Sequence, residues 1–374
     1  MNSKLKEVAL VFFKLGCFAF GGPAAHIAMM EEEIIEKRKW MTRDYFLDLI
    51  GATNLIPGPN STEMTMHCGY ERAGKSGLFV AGLAFIFPAT IITALLAYLY
   101  VEYGELPEVE PFIYGIKPAV LAIIASAILK LSKKAIKSIE LALLGVMVLT
   151  ASLLGVNEIV ALLSAGVFGM FYFYLKSKSQ STLNAFTPLL WVFGIKATAA
   201  KLTTLKLFLI FLKVGSILYG SGYVLFAYLD AELVTRGLLT RAELIDAIAI
   251  GQFTPGPVLS TSTFIGYQLS GFSGALVATT GIFLPSFLFV LILNPFIAKM
   301  QQSKMLRYFL DAVNVAAVAV MLAVLFIMVK ETLIEWQSIL IALIAVVLTF
   351  KTKVSTIWTI VIGAVIGYLV ITLF

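Results

Sequence analysis

The 374-residue chain is 60% hydrophobic and only 13% charged, against about 25% charged residues in soluble domains, and its mean hydropathy is +0.94. That balance excludes an ordinary soluble globule and makes the lipid bilayer the first partner. The net charge of +6 does not point to nucleic acid, because the basic residues sit in short loops between apolar runs, as membrane orientation requires.

The first apolar run, residues 5–27, carries Lys14-Leu15-Gly16 and Phe20-Gly21-Gly22-Pro23 and shows no small-residue cleavage site of a signal peptide. A charged segment, 31–43, follows it. Two runs too short to cross a bilayer alone, 45–56 and 60–70, then meet at Pro57-Gly58-Pro59. Proline lacks a backbone N–H and glycine tolerates unusual dihedrals, so this reads as a broken, re-entrant helical hairpin. Fuller spans are expected at 78–101, 112–131, 139–154 and 159–175, and a polar stretch, 177–206, links the halves.

The second half repeats that order, with spans at 207–229, 274–297, 308–329, 338–350 and 354–374 and a second broken hairpin over 244–269 around Pro255-Gly256-Pro257. Phe13-Lys14-Leu15-Gly16 matches Leu212-Lys213-Val214-Gly215, Thr42-Arg43 matches Thr240-Arg241, and Asp48 matches Asp246. Gly69, Gly74, Gly77 and Pro88 match Gly266, Gly271, Gly274 and Pro285, and the offset drifts only from 199 to 197 residues across the set. This is duplication. The fold class is therefore an all-α polytopic membrane protein of two repeats, 1–176 and 207–374, with about ten transmembrane helices and two broken hairpins. Five spans per half is an odd number, so the second repeat is expected upside down relative to the first. Twenty loop Lys and Arg residues fall on one side and five on the other, which places the rich side in the cytoplasm and both termini outside.

Chemistry is expected where broken helices leave backbone groups free inside the bilayer. Lys14 lies about 14 Å into its span at 1.5 Å per residue, and inversion brings its mate Lys213 toward the same centre. Two facing ammonium groups would offset a divalent oxyanion, and the helices starting after each Pro-Gly-Pro would aim free N–H groups at it. Gly58, Gly256, Asn60, Ser61, Thr62, Ser260, Thr261 and Ser262 supply backbone and hydroxyl donors there, and Asn54 and Gln252 line the opening. Gly21, Gly22, Gly220 and Gly222 allow close backbone approach; tight helix packing is the competing reading. Snorkelling to the interface competes for the lysines, Lys117 included. Asp48, Glu63 and Asp246, with Asp311 less directly, are the candidate proton carriers; Asp48 and Asp246 read equally well as partners of Lys14 and Lys213. Two cysteines, Cys17 and Cys68, and two histidines, His26 and His67, are too few for a metal, haem or iron–sulfur set, so no metal and no cofactor are expected.

Phe20-Gly21-Gly22-Pro23, Trp40-Met41-Thr42 and Pro57-Gly58-Pro59 followed by Gly69-Tyr70, all within a duplicated chain, resemble the chromate ion transporter family, whose short members correspond to one half. The second copy departs from the pattern at Tyr219-Gly220-Ser221-Gly222, which lacks the proline. The resemblance implies export of chromate across the cytoplasmic membrane by a proton-motive-force-driven antiporter. Sulfate or another tetrahedral oxyanion is the alternative substrate and an anion channel the alternative mechanism; a second copy in a homodimer is a further partner to test for. An intramembrane enzyme would have to rest on Glu63, His67 and Cys68 and is not expected.

Overall fold

The computed structural model describes residues 3–20, 22–178, 203–219, 222–296, 300, 302–352 and 354–373; most of the expected linker lies outside them. The described residues are all-helical, without a strand. Six helices are long and apolar enough to cross a membrane, and two shorter apolar ones, Ile139–Leu153 and Trp336–Lys351, accompany them. That is fewer than the expected ten or so full spans, and the difference begins at the start of each half.

Helix α1 (Ser3–Phe18) stops after 16 residues, and Gly22, at φ +80°, hands the chain to Pro23 at the first position of α2 (Pro23–Glu31). Proline is pre-organised for that position and has no N–H to leave unsatisfied. A π-helical turn, Glu32–Lys37, extends α2. The pair folds back instead of crossing: Lys14 meets Glu33 at 3.2 Å, and the Trp40 indole N–H donates to Glu7 at 3.1 Å. The start of α1 thus lies beside the charged segment, where five alternating spans would have put it opposite. The second half repeats this with α8 (Thr204–Ile217), α9 (Leu225–Leu229) and the π turn Asp230–Val234, where Lys213 meets Glu232 at 2.6 Å.

Helices α3 (Arg43–Thr53) and α10 (Arg241–Phe253) start at matching caps. Thr42 accepts from the Tyr45 N–H, and Thr240 forms a full capping box with Glu243. Each runs inward to a Pro-Gly-Pro break and returns as the first arm of α4 (Asn60–Tyr103) or α11 (Thr261–Leu293, after the 3-10 turn Val258–Ser260). Both long helices then fold sharply, at Ala73-Gly74 (Gly74 φ +63°) and Ser270-Gly271 (Gly271 φ +61°). A Cβ on Gly69 would strike the Gly77 carbonyl, and Gly266 stands likewise against Gly274, so the two arms of each hairpin touch backbone to backbone.

The second arm of α4 runs along α11 in the opposite direction: Phe79 stacks on Phe287 of α11's second arm, while Tyr98 and Tyr100 meet Tyr267 and Phe264 at the end of its first arm. Around them stand α5 (Glu110–Ala135), α6 (Ile139–Leu153), α7 (Glu158–Lys178), α12 (Lys304–Thr332), α13 (Trp336–Lys351) and α14 (Thr356–Leu373). The last helix of each half packs on the other half: α14 on α5 through Gly115, Gly363 and Gly367, and α7 on α12 through Gly166 and Gly169.

Candidate functional site

Four re-entrant tips meet between the halves. A broken helix end leaves carbonyls without donors, and here the glycine of the opposite half's Pro-Gly-Pro supplies one. Gly58 N–H donates to the Leu218 carbonyl at 2.7 Å, and Gly256 N–H to the Ala19 carbonyl at 2.8 Å. His26 Nε2 lies 3.0 Å from that same Ala19 oxygen, and the Tyr228 hydroxyl donates to Ile217 at 3.0 Å. Glycine is required at both turns: φ is +144° at Gly58 and +82° at Gly256. A Cβ at Gly58 would hit the Glu63 carboxyl and lie 2.6 Å from Ser286 Oγ; at Gly256 it would lie 2.9 Å from Ala89 Cβ.

The two tips differ in access. A cavity of about 610 Å³ reaches the first, lined by Asn54, Asn60, Lys134, Lys137, Arg307 and Asn314 among others. Asn60 donates to Asn54 at 2.6 Å at its floor, and Lys137 pairs with Asp311 at 2.6 Å on its wall, leaving Lys134 and Arg307 as its other basic residues. Pro57-Gly58-Pro59 and Pro255-Gly256-Pro257 are both buried, but Asn54 is exposed and Asn60 half-buried beside the first, whereas Gln252 and Val258–Ser260 beside the second are buried. A smaller cavity of about 380 Å³ sits beside Lys117, Thr240, Arg241 and Glu331 and does not reach the second tip's Gln252 or Gly256. Next to it the Asp246 carboxylate is held by Lys117 at 3.2 Å and by the Tyr100 hydroxyl at 2.7 Å, joining the halves.

The site residues expected from sequence separate into groups. Gly58, Gly256, Asn54, Asn60, Ser61 and Thr62 gather at the tips, Asn54 and Asn60 facing the cavity. Gly22 lies against Tyr223 at the crossing point, with the Tyr223 hydroxyl 3.4 Å from where its Cβ would be, and Tyr223 reaches Gln252 at 3.5 Å. Gly21 and Gly220 lie outside the described residues. Second-copy hydroxyls are engaged locally: Thr261 bonds Val258 O at 2.8 Å, Ser262 bonds Leu259 O at 2.7 Å, and Ser260 lies 3.4 Å from Thr254 Oγ1. Lys14 and Lys213 line neither cavity; each is neutralised by a glutamate 19 residues on. Burial pushes the Glu33 carboxyl up, but Lys37, Lys14 and Arg38 around it outweigh burial and hold it below the usual range. Lys117, for which snorkelling is one of two sequence readings, is the ion-pair partner of Asp246, and Asp48 is exposed.

Glu63 stands apart. It is fully buried, and neither carboxyl oxygen has a hydrogen-bond partner. Its place in the first turn of α4 favours a negative charge by at most about 2 kcal/mol, while burying an unpaired carboxylate costs several kcal/mol. Burial is the larger effect, and a charge there would have no counterion. Among the described residues no cluster of His, Cys, Asp and Glu could hold a metal ion.

Sequence reading did not assign Lys134, Lys137, Arg307 and Asn314 to a site, nor Glu33 and Glu232 to the lysines. The first four come from helices far along the chain and carry no local motif. The two glutamates did leave a signal, since they share the 199-residue offset of Lys14 and Lys213.

The family model described as chromate transporter matches residues 6–170 and again 205–368. A chromate transport protein of Cupriavidus metallidurans is 31% identical over 93% of this chain and 88% of its own length. A probable chromate transport protein of Synechococcus elongatus is 30% identical over 93% of the chain and 90% of its own. An uncharacterized transporter of Methanocaldococcus jannaschii is 28% identical over 99% and 95%. No solved structure matches the chain significantly.

Proposed function

The chain belongs to the chromate transporter family, a multi-pass membrane transporter rather than an enzyme, and from that premise we propose that it exports chromate across the cytoplasmic membrane under the proton-motive force. The observation that carries this reading is the basic 610 Å³ cavity lined by Asn54 and Asn60, which flank the first Pro-Gly-Pro turn. The first-turn amides of α4, at Asn60 and Ser61, have no carbonyl within their own helix to bind, and a helix N-terminus attracts anions. The oxyanion sits there, with the Asn54 and Asn60 side chains and Thr62 as further donors. Lys134 and Arg307 draw it in from the mouth and offset its charge.

Gln252, Gly256, Ser260 and Thr261 take the corresponding part when the carrier opens to the other face. Lys14 and Lys213 serve by fixing the re-entrant hairpins through Glu33 and Glu232. The antiparallel run of α4's second arm along α11 supports an inverted repeat, with 1–176 and 207–374 as its units. Access from one face alone favours a carrier over a channel. Sulfate, another tetrahedral dianion, fits the same donors and is the competing substrate.

The test is uptake of labelled chromate by energised everted vesicles. Wild type accumulates chromate, sulfate competes more weakly, and Arg307→Ala raises the half-saturating concentration about tenfold, the cost of one charge-assisted contact. Energised vesicles that take up no chromate, or take it up equally well with Arg307→Ala and Asn60→Ala, overturn the assignment.

A further inference from the structure

The oxyanion site leaves one buried group unused. The Glu63 carboxyl is completely shielded and bonds to nothing, and Ser286 Oγ, reaching in from α11, is also buried without a partner. Both crowd the same point beside Gly58, the point only a glycine leaves open. Thr62 Oγ1, on the same turn, is a third buried group without a partner. From the stretch after α8 the Tyr219 phenol lies within electrostatic reach of Glu63. On its own arm His67, one turn on, bonds Asn294 at the end of α11 at 3.0 Å. Among the described residues no basic side chain forms an ion pair with Glu63. The other candidate carboxylates are placed differently: Asp246 is bound by Lys117 and Tyr100, and Asp48 is exposed. In the second copy Thr261 replaces Glu63, and its hydroxyl is spent on Val258 O. Only one half has this carboxyl.

We propose that Glu63, with Ser286 against it, is the proton-binding site of the carrier, and that one proton crosses with each oxyanion in the same direction. The proposal rests on the oxyanion site described above. An ionised Glu63 one helical turn from the bound dianion would repel it, whereas the neutral acid adds an O–H donor and no charge. Proton and anion therefore favour each other's binding, and that coupling is reciprocal. On the face where the cavity is open, the carboxylate takes a proton from water and an O–H bond forms. On the other face the anion leaves and the O–H returns its proton to water.

The experiment uses the full-length protein in proteoliposomes holding a pH-sensitive dye, with an imposed chromate gradient in alkaline buffer, where chromate stays a dianion. Inward chromate flux is expected to acidify the lumen by about one proton per anion. In Glu63→Gln the proton-to-chromate ratio falls at least tenfold at whatever chromate flux remains, and Glu63→Asp restores part of it. A wild type that moves no protons, or moves them against the anion as an exchanger does, overturns the proposal, as does an unchanged ratio in Glu63→Gln. A wild type that carries no chromate overturns the transport reading instead. The Glu63 assignment is then decided by infrared spectroscopy, through a neutral carboxylic-acid carbonyl band present in wild type and absent from Glu63→Gln. If that variant fails to insert, the wild-type ratio and a shift of this band in Ser286→Ala still decide it.

Discussion

Lys14 and Lys213 occupy equivalent points of the repeat, yet their loss is expected to differ. Glu33 keeps Lys37 and Arg38 when Lys14 is removed, whereas Glu232, only 1% exposed, keeps Arg236 alone when Lys213 is removed. A redundant, half-exposed pair is worth under about 1 kcal/mol; breaking a pair on a buried carboxylate costs about 2–3 kcal/mol or more. Thermal unfolding in detergent should therefore place Lys213→Ala well below Lys14→Ala; equal melting temperatures would count against the pairing. If both instead lose chromate binding while keeping their stability, the lysines belong in the anion site after all. Glycines separate in the same way. Gly58→Ala must distort a φ of +144° and displace Glu63 and Ser286, so transport should fall more than tenfold. Gly74 also has a positive φ but nothing lies within 4 Å of a Cβ there. At φ +63° and ψ −154° the backbone is one that glycine alone adopts readily, so Gly74→Ala should cost strain of about 1–3 kcal/mol and, with no contact displaced, keep transport within twofold.

At the level of elements, the chain spells out its breaks more clearly than its crossings. The two Pro-Gly-Pro turns read as breaks and are breaks, while the matched Thr42 and Thr240 turn out to be helix caps and the matched Gly74 and Gly271 hairpin corners. What did not read was the return of α1. An apolar stretch of about 20 residues is long enough to span, and hydropathy alone does not distinguish a straight helix from two short ones folded at Gly22-Pro23. The deciding contacts, Lys14 with Glu33 and Glu7 with Arg38, Trp40 and Arg72, join residues 19 to 65 apart. A test follows from this geometry. In a background with Cys17 and Cys68 replaced by serine, Glu7→Cys with Arg38→Cys should react with a short bis-maleimide within one chain. A crossing first helix would put those positions on opposite faces, and no intramolecular product would form.

For the whole molecule, the informative property is its departure from symmetry: a basic cavity reaches Asn54 and Asn60 beside the first tip, while the smaller cavity stops short of the second tip next to Asp246, which Lys117 and Tyr100 hold. Sequence identified both tips but not which was open, because Lys134, Arg307 and Asn314 reach the cavity from helices that only the tertiary fold brings there. If the Asp246 cluster closes the second face, Asp246→Asn should raise the reactivity of a Gln252→Cys probe toward an impermeant maleimide added on that face, at least severalfold over the same probe with Asp246 intact. The charge carried through this asymmetric path is measurable as well. One elementary charge moved across 100 mV is worth about 2.3 kcal/mol, close to fifty-fold in concentration ratio. A bare dianion moves two charges and should reach a gradient of about two thousand-fold at that potential. With a proton aboard on Glu63, one net charge moves and the gradient should stop near fifty-fold. An interior-negative membrane still expels chromate in that case, driven by the electrical part of the proton-motive force and opposed by the pH part. Proteoliposomes clamped with a potassium ionophore should show the one-charge slope in wild type and the two-charge slope in Glu63→Gln, and each unit of imposed pH difference should move the wild-type gradient about tenfold while leaving the variant's unchanged.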